Sequence, residues 1–225
     1  VLPDNVINQI AAGEVVERPS SVVRELVENS LDAQATEIRV YLEEGGKSCT
    51  RIVDNGLGMV RDDLVLSVER HATSKLKSVD DLRQISTLGF RGEALSSIAS
   101  VSKFTMTSRS ADSELGTKIQ IEGGKVLSVT HVPAPVGSSV EVKSLFFNTP
   151  ARKKFLKSTR VEEDRIRNWL SASALSKPNV RFRLFYEEKE VLTFPPVKSG
   201  IDHAKQMFGQ ESIEINLDQR SLAHG

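Results

Sequence analysis

Residues 24–33 read Arg24-Glu25-Leu26-Val27-Glu28-Asn29-Ser30-Leu31-Asp32-Ala33, a few residues after Pro19, which suits the first turn of a helix. Val22, Val23, Leu26, Val27 and Leu31 recur at helical spacing and predict an apolar stripe on a helix ending near Asp32. Glu25, Glu28, Asn29 and Asp32 fall off that stripe, and Glu25 and Asn29, one turn apart, share a side. Upstream, residues 4–13 read as a short helix. Downstream, Thr36–Glu43 turns at Gly45-Gly46 into Ser48–Val53, an alternating hairpin that Asp54-Asn55-Gly56-Leu57-Gly58 terminates. A helix is expected around Asp62–Glu69. A stretch rich in Ser, Thr, Lys and Gly then leads to a helix from about Gly92 to Ala99, and an excursion of that length inside a domain reads as a lid or binding loop.

Beyond it, runs near 101–109, 116–121, 126–131 and 138–143 read as strands of a meander. A helix over 159–176 stops before Pro178, and strands follow near 180–187 and 190–194. Pro195-Pro196 with Lys198-Ser199-Gly200 reads as a boundary, giving a domain over 1–195 and, over 196–225, a linker and the start of a second domain. Helices first and adjacent strands later predict an α+β fold with helices on one sheet face. The chain carries no strand-linked GxGxxG and no GxxxxGK[ST], which removes the two commonest nucleotide-binding architectures.

With 39% apolar and 27% charged residues, the 225-residue chain has the composition of a globular protein, and no apolar run approaches a membrane span. The single cysteine, Cys49, excludes a disulfide framework and points to a reducing compartment, read as the cytoplasm. Thirty basic residues balance thirty acidic ones, so any contact with nucleic acid must be local. The candidate patch is Arg152, Lys153, Lys154, Lys157 and Arg160, which reads equally as a solvated helix face. His71 and Trp169 read as structural, and Phe146, Phe147 and Phe155 as packed.

Three segments are able to carry chemistry. Glu25 and Asn29 pair a general base with a neutral oxygen ligand for a hard cation, although such residues ordinarily face solvent. Asp54, ahead of Gly56 and Gly58, is placed to accept from an exocyclic amine while bare backbone admits a flat ring; the competing reading is a plain turn. Gly89-Phe90-Arg91-Gly92 before a helix start, with Thr73, Ser74 and Lys75 upstream, offers amides, hydroxyls and charge to an anion, against the alternative of a flexible loop.

ELVENSLDA (25–33), DNGLGM (54–59), RHATSK (70–75) and GFRGEAL (89–95), in this order, resemble the MutL proteins of DNA mismatch repair, within the gyrase, heat-shock chaperone, histidine kinase and MutL ATPase superfamily. AAGEVVERP (11–19) and LFFNTPARKKFL (145–156) strengthen that match. The resemblance implies a Bergerat-type fold, a two-layer sandwich with a mixed, mainly antiparallel sheet. It implies a slow magnesium-dependent ATPase, with Glu25 as base, Asn29 as magnesium ligand, Asp54 as acceptor of the adenine amine and the Gly58 backbone nearby. Thr73, Ser74, Lys75, Gly89, Phe90, Arg91 and Gly92 would form the lid and phosphate cradle. Ser138, in a Gly137-Ser138 pair where the family usually has Gly-Thr, would be a further nucleotide contact. The implied partners are a second copy on ATP binding, a MutS-type mismatch-recognition protein and, weakly, DNA through Arg152, Lys153, Lys154 and Lys157. A lysine from the family's second domain would complete the ATP site. A nucleotide-gated scaffold without turnover and the ATPase region of a type II topoisomerase are the alternatives.

Overall fold

The computed structural model describes residues 16–69 and 94–208, with side chains as far as Lys205. The helix expected at 4–13, the segment 70–93 with His71, Thr73, Ser74, Lys75, Gly89, Phe90, Arg91 and Gly92, and residues 209–225 lie outside it.

Helix α1 spans Pro19–Asp32, with Pro19 in its first turn. It buries Pro19, Val22, Val23, Leu26, Val27 and Ser30, each of the four aliphatic side chains contributing about 2 kcal/mol of burial. Leu31, expected in the stripe, is only partly buried. Ser30, one turn beyond Leu26, continues the inward face in its place because its hydroxyl has a partner in the sheet.

The strands are β1 (Glu37–Glu43), β2 (Cys49–Asp54), β3 (Lys103–Arg109), β4 (Gly116–Glu122), β5 (Lys125–Val132), β6 (Gly137–Lys143), β7 (Arg181–Tyr186) and β8 (Lys189–Phe194). A short 3-10 turn at Glu44–Gly46 closes the β1–β2 hairpin. All eight form one sheet in the order β5-β4-β3-β6-β2-β1-β7-β8. The pairing is antiparallel except between β1 and β7, so the sheet is mixed and mainly antiparallel. The expected meander holds for β3, β4 and β5, and β6 breaks it by returning to fill the gap between β3 and β2. Alternation is clean on β1, where Ile38, Val40 and Leu42 are buried and Glu37, Arg39 and Tyr41 are half-exposed.

Helices α2 (Arg61–Ser67), α3 (Ala94–Ser100), α4 (Pro150–Phe155), α5 (Thr159–Ser176) and α6 (Gly200–Phe208) complete the order. α3 packs on β3 and β4, and α5 on α1 and β7, forming a second layer over one core. α6 docks on α5 through the fully buried His203, whose ring nitrogens lie 2.9 Å from the Ala174 carbonyl and 2.7 Å from the Pro195 carbonyl. Phe146 is buried and Phe147 half-buried, but Phe155, expected to pack, is 82% exposed. α4 is six residues long and buries none of its side chains, so its last residue has no core to face. Cys49 is buried and unpaired, and burial raises its thiol to about 11, leaving it protonated at neutral pH.

Candidate nucleotide site

Register places a polar row at one end of the inward sheet face. Ile52, Val140, Met106 and Ile119 are cross-strand neighbours on β2, β6, β3 and β4. Two positions along each strand, the same face carries Asp54, Ser138, Ser108 and Thr117. The core thus gives way to oxygen atoms where the C-terminal part of α1 crosses the sheet.

The Asp54 carboxylate accepts three hydrogen bonds. Its Oδ1 accepts from the Gly56 amide at 2.9 Å and the Ser138 amide at 3.2 Å, and its Oδ2 accepts from the Ser30 hydroxyl at 2.9 Å. Ser30 also lies 3.1 Å from the Leu26 carbonyl, and its single proton favours the charged carboxylate. Burial raises the Asp54 carboxyl above its ordinary value of 3.8, and the three donors offset part of that rise. A carboxylate offers about four lone-pair sites. One site on Oδ2 therefore remains for a ligand.

The loop after Asp54 is fastened to its surroundings. The Asn55 side chain accepts from the amides of Thr36 and Glu37 and donates to the Thr36 hydroxyl, while the Leu57 amide donates to the Ala33 carbonyl at the end of α1. Gly58 has φ of 67°, and a side chain there would place its Cβ 2.0 Å from the Arg109 carbonyl oxygen. Gly137, with φ of 112°, would put a Cβ 2.2 Å from the Asp54 carbonyl oxygen. Both glycines let backbone from separate strands close around the row. Gly137→Ala combines a disfavoured φ with a backbone collision and is expected to cost about 3 kcal/mol in urea unfolding. A loss under about 1 kcal/mol would show that β6 can shift without penalty.

Glu25 and Asn29 are half-buried on α1, one turn apart and outside its buried face. The structure thus brings Glu25, Asn29, Asp54, Gly58 and Ser138 to α1 and to the strand ends it covers. The expected phosphate cradle falls outside the described residues. Lys153 and Lys154 on α4, Lys157 just after it and Arg160 in the first turn of α5 are exposed, and the half-buried Arg152 holds its guanidinium 5.9 Å above the Phe146 ring.

Residues 17–141 match the family described as histidine kinase-, DNA gyrase B- and HSP90-like ATPases. Among solved structures, the Aquifex aeolicus MutL ATPase domain complexed with ADP is 36% identical, covering 86% of this chain and 70% of that one at a TM-score of 0.69. The chain belongs to the MutL ATPase family. Its sheet and helices are accordingly those of the Bergerat fold. The MutL of Koribacter versatilis is 51% identical over 214 residues, and that of Xanthomonas oryzae pv. oryzae 54% over 195 residues. The chain covers 33% and 31% of those two proteins, about a third of their length. The N-terminal domain of a DNA repair protein of known structure is 25% identical at a TM-score of 0.75, with 91% of this chain and 60% of that one covered.

Two site residues escape a reading of motifs. Ser30 interrupts the apolar spacing of α1, a signal available in the sequence. Ser108 gives none, because only the pairing of β3 with β6 sets it beside Ser138.

Proposed function

We propose that this MutL ATPase domain binds ATP with magnesium, hydrolyses it slowly, and uses nucleotide state to control pairing with a second copy and contacts with repair partners. The observation that carries this reading is the Asp54 carboxylate, held by three donors with one acceptor site left, at the end of the helix that bears Glu25 and Asn29. Asp54 accepts the exocyclic amine of adenine, the Gly58 backbone lets the ring approach, and Ser138 lines the same wall. Glu25 takes a proton from the attacking water. Thr73, Ser74, Lys75, Gly89, Phe90, Arg91 and Gly92 hold the phosphates by amides, hydroxyls and charge.

The donor set on α1 fits magnesium. That ion keeps several waters and needs only one or two protein oxygens beside the phosphates, and the Asn29 carboxamide is such an oxygen, one turn from the carboxylate of Glu25. When bound, magnesium supplies charge compensation to the phosphate oxygens. Asn29→Ala should abolish the magnesium-dependent part of ATP affinity while leaving the magnesium-free affinity unchanged, as read by titration calorimetry with and without the ion. Equal dependence on magnesium in parent and variant would remove Asn29 from the role.

Dimerisation, a MutS-type partner and weak DNA contact through Arg152, Lys153, Lys154 and Lys157 extend the same reading to the longer protein. The buried free thiol of Cys49 accords with a reducing, cytoplasmic setting. Among the described residues no helix is long and apolar enough to cross a membrane. Light scattering on the full-length protein should show a rise toward dimer mass with a non-hydrolysable ATP analogue and not with ADP. An unchanged mass would confine the domain to turnover without gating. A scaffold without turnover would instead pair on ATP yet release no phosphate in a single-turnover assay.

A further inference from the structure

His203 is fully buried with both ring nitrogens against oxygen, Nδ1 at 2.9 Å from the Ala174 carbonyl and Nε2 at 2.7 Å from the Pro195 carbonyl. A backbone carbonyl only accepts, so each contact is a hydrogen bond only where the ring nitrogen carries a proton. Neutral imidazole has one N–H, and turning the ring over merely exchanges one acceptor for the other. Both bonds exist together in the imidazolium alone. The Ala174 carbonyl lacks a helical donor for a reason legible in the sequence: it lies in the last turn of α5, and the residue four places on is Pro178, which has no N–H. The partial negative charge at the C-terminal end of a helix favours a cation in that place. Charged residues on the packed elements are Lys177 after α5, Lys198 in the linker, and Asp202 and Lys205 on α6. Asp202 turns to Ser199, accepting from its amide at 3.2 Å and its hydroxyl at 3.1 Å, and among the described residues none of the four pairs with the ring. Phe194 on β8 meets the imidazole in a T-shaped contact, ring centroids 5.4 Å apart.

We propose that His203 is a proton-dependent clasp that, doubly protonated, fastens α6 to the end of α5 and releases it on losing one proton. Once that proton leaves, a lone pair faces a carbonyl oxygen at 2.7 or 2.9 Å in a site closed to solvent. The contribution to docking is present where the ring holds two protons and is lost as rising pH removes one. α6 is the first element past Pro195-Pro196, so the clasp sets the direction in which the chain leaves the sheet and its helices. Neighbouring contacts seat the linker beside it. The Val197 amide donates to the Pro178 carbonyl at 2.7 Å, and a Cβ on Gly200 would stand 2.3 Å from the Leu175 carbonyl oxygen. His203 extends that seat one turn into α6. With the ring protonated the joint is rigid, and with the ring neutral α6 is free to turn about the linker. The clasp uses no residue of the candidate nucleotide site and does not depend on what binds there.

The test follows the ring and the helix together across pH in the whole chain. Selective 15N labelling of the four histidines reports how many ring nitrogens of His203 carry protons, its signal assigned by its absence in His203→Gln. Hydrogen exchange of the α6 amides, corrected for intrinsic rates and referred to the amides of β1, reports docking. In the parent, α6 protection should fall at least about tenfold as the ring passes from two N–H groups to one, with a shared midpoint. His203→Arg keeps a cation with several donors and should hold its protection through that range without the step. His203→Gln is neutral throughout, and only one end of its carboxamide donates, so α6 should be poorly protected at every pH. A docked α6 around a singly protonated ring overturns the inference, as does a step of parental size in folded His203→Arg. If the arginine variant fails to fold, parent-like protection in His203→Gln overturns it instead.

Discussion

Glu25→Ala is expected to reduce ATP hydrolysis by the full-length protein at least about 100-fold while ATP affinity stays within about threefold of the parent. The division follows from the position of the residue. Glu25 lies on the partly solvated side of α1, a turn and more from Ser30, which holds Asp54, so its truncation leaves the base-binding wall in place. A general base assists only in the transition state, and its loss lowers turnover without weakening the ground-state complex. Glu28 lies three residues further along the same helix, a neighbouring position about 60° round from Glu25 and about 100° from Asn29, and supplies the control, because Glu28→Ala removes the same carboxylate chemistry from that helix while leaving the Glu25–Asn29 pair intact. Acid-quenched single-turnover formation of phosphate is the measurement of choice, since slow product release would mask the chemical step. Parent-like hydrolysis by Glu25→Ala would sink the assignment, and an equal loss in both variants would point to the charge of α1 rather than to one base.

Asp54→Asn has the opposite signature, a loss of binding with the fold retained. The carboxamide has a single acceptor oxygen, which the Gly56 and Ser138 amides on the Oδ1 side will claim. Its NH2 then occupies the Oδ2 position, where Ser30 is able to accept instead of donate but an incoming amine meets another donor. ATP affinity should fall about 100-fold or more, because the mismatch leaves polar groups unpaired in a confined site. Stability should hold or rise. Burial raises the Asp54 carboxyl, so the charged form is disfavoured in the fold, and the stability linked to its neutral form is present below 3.8 and lost as pH rises through the folded value. Binding runs the other way, since ATP needs the ionised acceptor and affinity declines as pH falls through that raised value. The acid limb of ATP affinity in the parent should therefore lie above 3.8 and be absent in Asp54→Asn. A limb of equal position in both proteins, read by titration across acidic buffers, would assign it to the nucleotide or to another carboxylate.

Much of this was legible in the sequence because local physics and tertiary demand agree. Pro19 and the apolar pairs Val22-Val23 and Leu26-Val27 place α1, paired glycines close the β1–β2 hairpin, and Pro178 ends the long helix one residue beyond its cap. Asp54 announces itself as an acid at a strand end before glycines. What stayed hidden depends on contacts between distant segments. The return of β6 to the gap between β2 and β3 leaves no mark in periodicity, since an edge strand and an inserted strand carry the same alternation. Ser108 is silent for the same reason. Phe155 misleads because an aromatic in a short basic helix reads as packed until the helix is seen to bury nothing.

The insertion of β6 also ties ligand binding to the completeness of folding. Asp54, Ser138 and Ser108 belong to three strands, and the middle one, β6, comes last of the three in the chain and pairs with both others, filling the gap between β2 and β3. A chain with that gap unfilled keeps most of its hairpins but has no wall for a base. On the proposed function, nucleotide binds only the finished molecule, and saturating ATP is expected to stabilise the closed topology by mass action.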